Sequence, residues 1–115
     1  MITISEEAMD VFHREAIKRS DAAVVEYLRR RFPQVCAGRE DGDIAAFVQR
    51  VRSDVAGFGI THDDDVATAA DLTLMYGNAF WDQAWAVDVM GIEMLPGHEK
   101  MELLRRRVRT RIADL

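Results

Sequence analysis

Cysteine is nearly absent from the chain: Cys36 stands alone in 115 residues. A lone thiol can make neither an internal disulfide nor a thiolate-rich metal site, a usage that fits a reducing compartment. Proline and glycine are scarce too, and the 2 prolines and 7 glycines fall where periodic segments end. No window of six or more residues has the alternating, β-branched pattern of a strand. Long apolar runs are missing as well. Stretches such as Ala22 to Val25 are far shorter than the roughly 20 residues of a membrane-spanning helix. The opening Met1-Ile2-Thr3-Ile4-Ser5-Glu6-Glu7 has neither the basic nor the apolar region of a signal peptide, so the expected location is the cytoplasm. Between Ser53 and Glu99 there is no lysine or arginine at all.

What is present suffices for one folded domain. Hydrophobic residues make up 49% and charged residues 30% of the chain, enough apolar mass to collapse around a single core. Apolar positions at Met9, Phe12, Ala16, Ile17, Val24, Tyr27, Leu28 and Phe32 predict a first helix from near Ser5 to about Phe32, where Pro33 stops it. Ser20 and Asp21 compete for backbone hydrogen bonds and mark a bend or an interruption in it. After a polar connector with Gly38 and Gly42, Asp43 is the expected N-cap of a second helix with the stripe Ile44, Phe47, Val48, Val51, Val55 and Phe58. Gly59 and Ile60 then have the order of a Schellman stop. Thr61 opens a third helix with Asp63, Asp64 and Asp65 in its first turn, where the helix dipole favours anions. That helix ends at Gly77-Asn78. A fourth is expected from Phe80 to Met90, carrying Trp81, Trp85 and Val89 on one face. The last should run from Gly97 to Ala113, with Met101, Leu104, Val108, Ile112 and Leu115 on one side and arginines on the other. Together these predict an all-α, single-domain bundle of about five helices.

Catalytic chemistry finds little to use. Ser5, Ser20 and Ser53 sit at caps or on a polar face, and Cys36 lies in a predicted loop without a histidine nearby. His62-Asp63-Asp64-Asp65 groups four potential ligands, but neighbours on a helix point apart and no metal-binding spacing is present. His13 and His98 are isolated in sequence. Glycine-rich phosphate loops are absent. The arginine runs at 29–31 and 105–107 spread around their helices without an aromatic platform, in a chain of net charge −5, so nucleic acid is not an expected partner. No catalytic residue, metal or cofactor is therefore expected.

Two features point to another protein as the partner. The base-free window carries nine carboxylates. Either the basic terminal helices pair with them internally, or an acidic surface formed by Asp63, Asp64, Asp82 and Asp88 attracts a basic partner. Met75, Tyr76, Phe80, Trp81, Trp85, Met90 and Met94 concentrate residue types common in binding hot spots. They are either core or a partner-binding groove, because a small domain has limited room for so many large side chains. The stripe of the last helix also leaves open a self-associating structural protein, a homodimer.

Several segments resemble a known group. Tyr27-Leu28-Arg29-Arg30-Arg31-Phe32-Pro33, Phe58-Gly59-Ile60-Thr61 with Asp65-Val66-Ala67, Asp71-Leu72 through Met75-Tyr76-Gly77 to Phe80, and Trp85-Ala86 are similar to small helical proteins of unknown function encoded beside the effector and chaperone genes of bacterial type VI secretion systems. The resemblance covers roughly residues 3 to 110, and the chain departs from it at Trp81 and Ala84. It implies a non-catalytic accessory or co-chaperone that binds an effector chaperone, or an immunity protein that blocks a toxin.

Overall fold

The computed structural model describes residues 20–113, with side chains through Arg109. Helix α1 is described over residues 20–31. It is followed by α2 (Pro33–Cys36), α3 (Asp41–Ala56), α4 (Asp63–Tyr76), a 3-10 turn (Phe80–Asp82), α5 (Val87–Met90) and α6 (Gly97–Ala113). The described residues contain no strand, and one core takes side chains from all six helices, so the fold is all-α as the periodicity predicts. The predicted start of the first helix at Ser5, its apolar positions Met9, Phe12, Ala16 and Ile17, and His13 lie outside the described residues. So do the side chain of Ile112 and all of Leu115.

Helices α3 and α4 form the centre, with α6 against α4 and α5. The α3 stripe buries Ile44, Val48, Val51 and Val55, while Phe47 and Phe58 pack half-buried at its edges. Val66, Ala69, Ala70 and Leu72 cover the inner side of α4. Small alanines there let its neighbours come close. Residues 20–31 are one uninterrupted helix in which Asp21 is buried, and the expected bend or interruption at Ser20-Asp21 falls at the edge of the described residues.

Local chemistry explains where the boundaries fall. Pro33 ends α1 as expected, but its fixed φ also makes it the first residue of α2, a position that suits proline because the missing N–H is unpaired there anyway. Cys36 is consequently buried at the end of a short helix and not in a loop. Asp43 is not the N-cap of α3. The helix begins two residues earlier after extended Glu40, which puts Gly42 and Asp43 in its first turn. Arg29 determines this start by donating from Nε to Asp41 Oδ1 at 2.8 Å and from Nη2 to the Arg39 carbonyl at 2.7 Å. His62, not Thr61, stands at the N-cap position of α4, so Asp63, Asp64 and Asp65 fill its first three positions.

The stop after α3 has the predicted form. Gly59 adopts φ +79°. Its N–H donates to the Ala56 carbonyl at 3.0 Å, and the Ile60 N–H reaches the Val55 carbonyl at 3.4 Å, the paired bonds of a Schellman motif. This turn is also a seat. A Cβ placed on Gly97, the first residue of α6, would collide with the Gly59 carbonyl and lie 2.7 Å from the Ile60 nitrogen. The backbone of α6 thus rests directly on the backbone of the turn. Gly97→Ala should lower unfolding stability by about 2–3 kcal/mol, because rigid backbone must move to admit one methyl group; urea denaturation followed by circular dichroism measures it.

Candidate partner-binding site

Between α4 and α6 the chain does not form the helix that the spacing of Trp81, Trp85 and Val89 predicts. Helix α4 stops at Gly77, and Ala79 enters the left-handed region at φ 58°, ψ 40°, which costs a residue with a side chain about 1 kcal/mol. Only the 3-10 turn and the four-residue α5 are regular. Two features compete successfully with helix. Phe80 is fully buried and anchors the turn in the core. Gln83, with extended backbone, donates from Nε2 to the Tyr76 carbonyl at 2.8 Å and accepts from Trp85 Nε1 at 2.8 Å. A single carboxamide therefore caps α4 and orients an indole.

The seven predicted partner-binding residues divide by depth. Phe80 and Met90 belong to the core, at 0% and 2% exposed, which corrects the expectation of exposed binding residues for both. Tyr76, Trp81 and Trp85 are half-buried. Their rings form a connected cluster: Tyr76 and Trp85 have centroids 4.9 Å apart, Phe80 and Trp81 5.2 Å, and Phe58 and Trp81 5.9 Å. Met75 is exposed, and Met94 is 95% exposed. Ile92 and Val87, which the sequence did not single out, are also exposed apolar residues of this segment. Core and surface readings of the cluster thus both apply, to different members.

Arginines from outside the base-free window pair with Asp63, Asp65, Asp71 and Asp88. Arg107 holds Asp88 bidentately at 2.6 and 2.9 Å, and also donates to the Trp85 carbonyl. This guanidinium pulls the Asp88 carboxyl down to about 2, while Asp88 raises the pKa of Arg107 in turn. Arg52 spans Asp21 at 2.9 Å and Asp63 at 3.4 Å. Of the four carboxylates expected to form an acidic surface, Asp63, Asp64, Asp82 and Asp88 are all exposed, but two are tied to arginines. The arginines of α6 do not all face solvent as the sequence suggested: Arg105 and Arg107 turn back onto α4 and α5.

Asp65 is the centre of this arrangement. It is fully buried, and its carboxylate accepts from Arg105 Nη2 at 2.8 Å and bonds His98 Nδ1 at 2.9 Å. Arg105 also donates to Thr68 Oγ1 and Glu102 Oε1. His98 is therefore not isolated, and its pKa rises because it is hydrogen-bonded to the buried carboxylate. The His62 ring meets the His98 ring edge-on at 5.7 Å. Among the described residues no three His, Cys, Asp or Glu side chains gather as metal ligands, and no helix is long and apolar enough to cross a membrane.

The sequence reading also missed Lys100, which is buried at 4% exposure. Its Nζ donates to the Met90 carbonyl at 3.0 Å and lies 5.6 Å from the centre of the Phe58 ring. A signal for it existed, since Lys100 precedes Leu104 by one helical turn and so falls on the stripe that faces the core. Met101 and Leu104 are fully buried there. That half of the stripe is used inside the chain and cannot pair with a second copy.

No protein-family model matches the chain, and no curated protein or solved structure matches it either.

Two measurements probe these ion pairs. Arg105→Ala leaves the Asp65 carboxylate buried with only His98, and should cost about 3–5 kcal/mol in chemical denaturation. His98 has a raised pKa in the fold, so its contribution is complete below the ordinary value of 6.5 and is lost as pH rises through the raised one. Unfolding midpoints between about pH 6 and pH 9 should fall in the native chain and fall less in His98→Gln. For Asp88 the sign is opposite: stabilisation is present above the ordinary 3.8 and disappears as pH falls through about 2. In Arg107→Ala, the Asp88 carboxyl should titrate close to 3.8 by NMR.

Proposed function

We propose that the chain is a non-catalytic, cytoplasmic protein-binding accessory, an adaptor or co-chaperone for a type VI secretion effector or for that effector's chaperone. The observation that carries this reading is the exposure of Met94 and Ile92 on an irregular segment whose base is fixed by Phe80, Met90 and the Arg107 clamp. Large apolar side chains held out in water on a rigid support gain free energy when a partner covers them. Methionine adapts to irregular surfaces because it is unbranched and polarizable. The half-buried Trp81 and Trp85 of the same segment add the aromatic area typical of binding hot spots. The resemblance of Tyr27–Pro33 and Asp71–Phe80 to proteins encoded with secretion effectors suggests the kind of partner.

An immunity role would rely on an acidic surface facing a toxin. Arg52 and Arg107 already occupy Asp63 and Asp88, which favours the accessory role. Co-expression with the products of adjacent effector and chaperone genes provides the test. An Ile92→Asp, Met94→Asp double variant with unchanged circular dichroism should lose co-purification with its partner, and unaltered co-purification would remove this segment as the contact. Deletion of the gene should lower effector delivery without making the strain sensitive to its kin.

A further inference from the structure

An open groove of about 740 Å³ lies beneath the loop that joins α5 to α6. Phe58, Met90, Met94, Leu95 and Pro96 line it, with Glu93 at the exposed rim and Lys100 among the lining residues. The volume falls in the range of small-molecule sites, which combine an apolar lining with one or two polar groups that orient the ligand.

Lys100 supplies such a group. An ammonium carries three donors and no acceptor, and among the described residues Nζ has one hydrogen-bond acceptor, the Met90 carbonyl. The Phe58 ring face adds a cation–π contact, but no carboxylate pairs with Lys100 among the described residues. The other buried charges among the described residues differ in this respect: Asp21 has Arg52, and Asp65 has Arg105 and His98. A buried charge without a counter-ion is unfavourable unless something of opposite charge compensates it. Met90 and Phe58, the two contacts of Nζ, are themselves groove walls, so the cation borders the same space as the apolar side chains.

We propose that this groove binds an apolar monocarboxylate, its carboxylate on Lys100 Nζ and its hydrocarbon part against Phe58, Met90 and Leu95. The ligand carboxylate pairs with the ammonium, and the groove takes its hydrocarbon chain out of water. The groove shares Met94 with the proposed partner-binding segment, but its ligand contacts, Lys100, Phe58, Met90 and Leu95, need no partner chain.

Octanoate is the probe, with octanamide as its uncharged counterpart. Trp81 packs on Phe58 and reports occupancy through its fluorescence. Octanoate should bind the full chain saturably and about tenfold or more tighter than octanamide, the scale of one charge-assisted hydrogen bond. Lys100→Met should abolish that preference. Glu93→Lys, at an exposed position that leaves folding intact, should strengthen octanoate severalfold and leave octanamide unchanged; this decides the matter if Lys100→Met fails to fold. Equal affinity for the two probes, no saturable octanoate binding, or an octanoate affinity indifferent to Glu93→Lys would overturn the proposal and make Lys100 a cap of α5 only.

Discussion

A carboxylate removed completely from water dictates how the helices of this protein meet. Asp65 stands in the first turn of α4, where the helix dipole favours an anion but cannot by itself compensate full burial. Its two partners, His98 and Arg105, both come from α6 and stand seven residues apart, on one face of that helix. To serve Asp65, α6 must cross the start of α4 with that face inward. Once it does, Arg107 reaches Asp88 and the Trp85 carbonyl, and Lys100 reaches the Met90 carbonyl. The irregular segment between α4 and α6 is thereby held at two points by the helix that follows it. Apolar burial drives collapse, but these charge-assisted bonds choose the arrangement.

The same logic recurs at the other side of α4. Arg52 from α3 joins Asp21 of α1 to Asp63. Tyr27 of α1 donates to Asp71 Oδ2 at 2.6 Å, and burial followed by the neighbouring carboxylate pushes its hydroxyl up to about 12. At ordinary pH this phenol is a donor and never a competing anion. Helix α4 is therefore an acidic post to which basic or hydroxylic groups of α1, α3 and α6 are attached, and little of its charge remains for a distant partner.

Regular periodicity made α3, α4 and α6 readable in the sequence, along with the Gly59 stop, because each depends on neighbours within a few residues. The charge-poor and charge-rich segments were readable too, but not their pairing: which arginine meets which aspartate depends on contacts some 20 to 40 positions apart. The segment after Gly77 was misread as helix for a related reason. Trp81, Trp85 and Val89 have helical spacing, yet Phe80 is drawn into the core and Gln83 caps the preceding helix, and a local pattern does not register either. The stretch from Met75 to Met94 was marked by composition alone, which does not register depth. Only depth could separate Phe80 and Met90 beneath it from Met94 above.

The seat of α6 on the Gly59 turn sets more than a helix position. Lys100 lies three residues beyond Gly97, and its own N–H bonds the Pro96 carbonyl, so its height above the groove floor follows from how closely the first turn of α6 approaches α3. A hydrogen atom in place of a methyl group at position 97 is thus what lets a charged side chain sink to the level of Met90. The polarity of the groove is decided at a residue that carries no side chain.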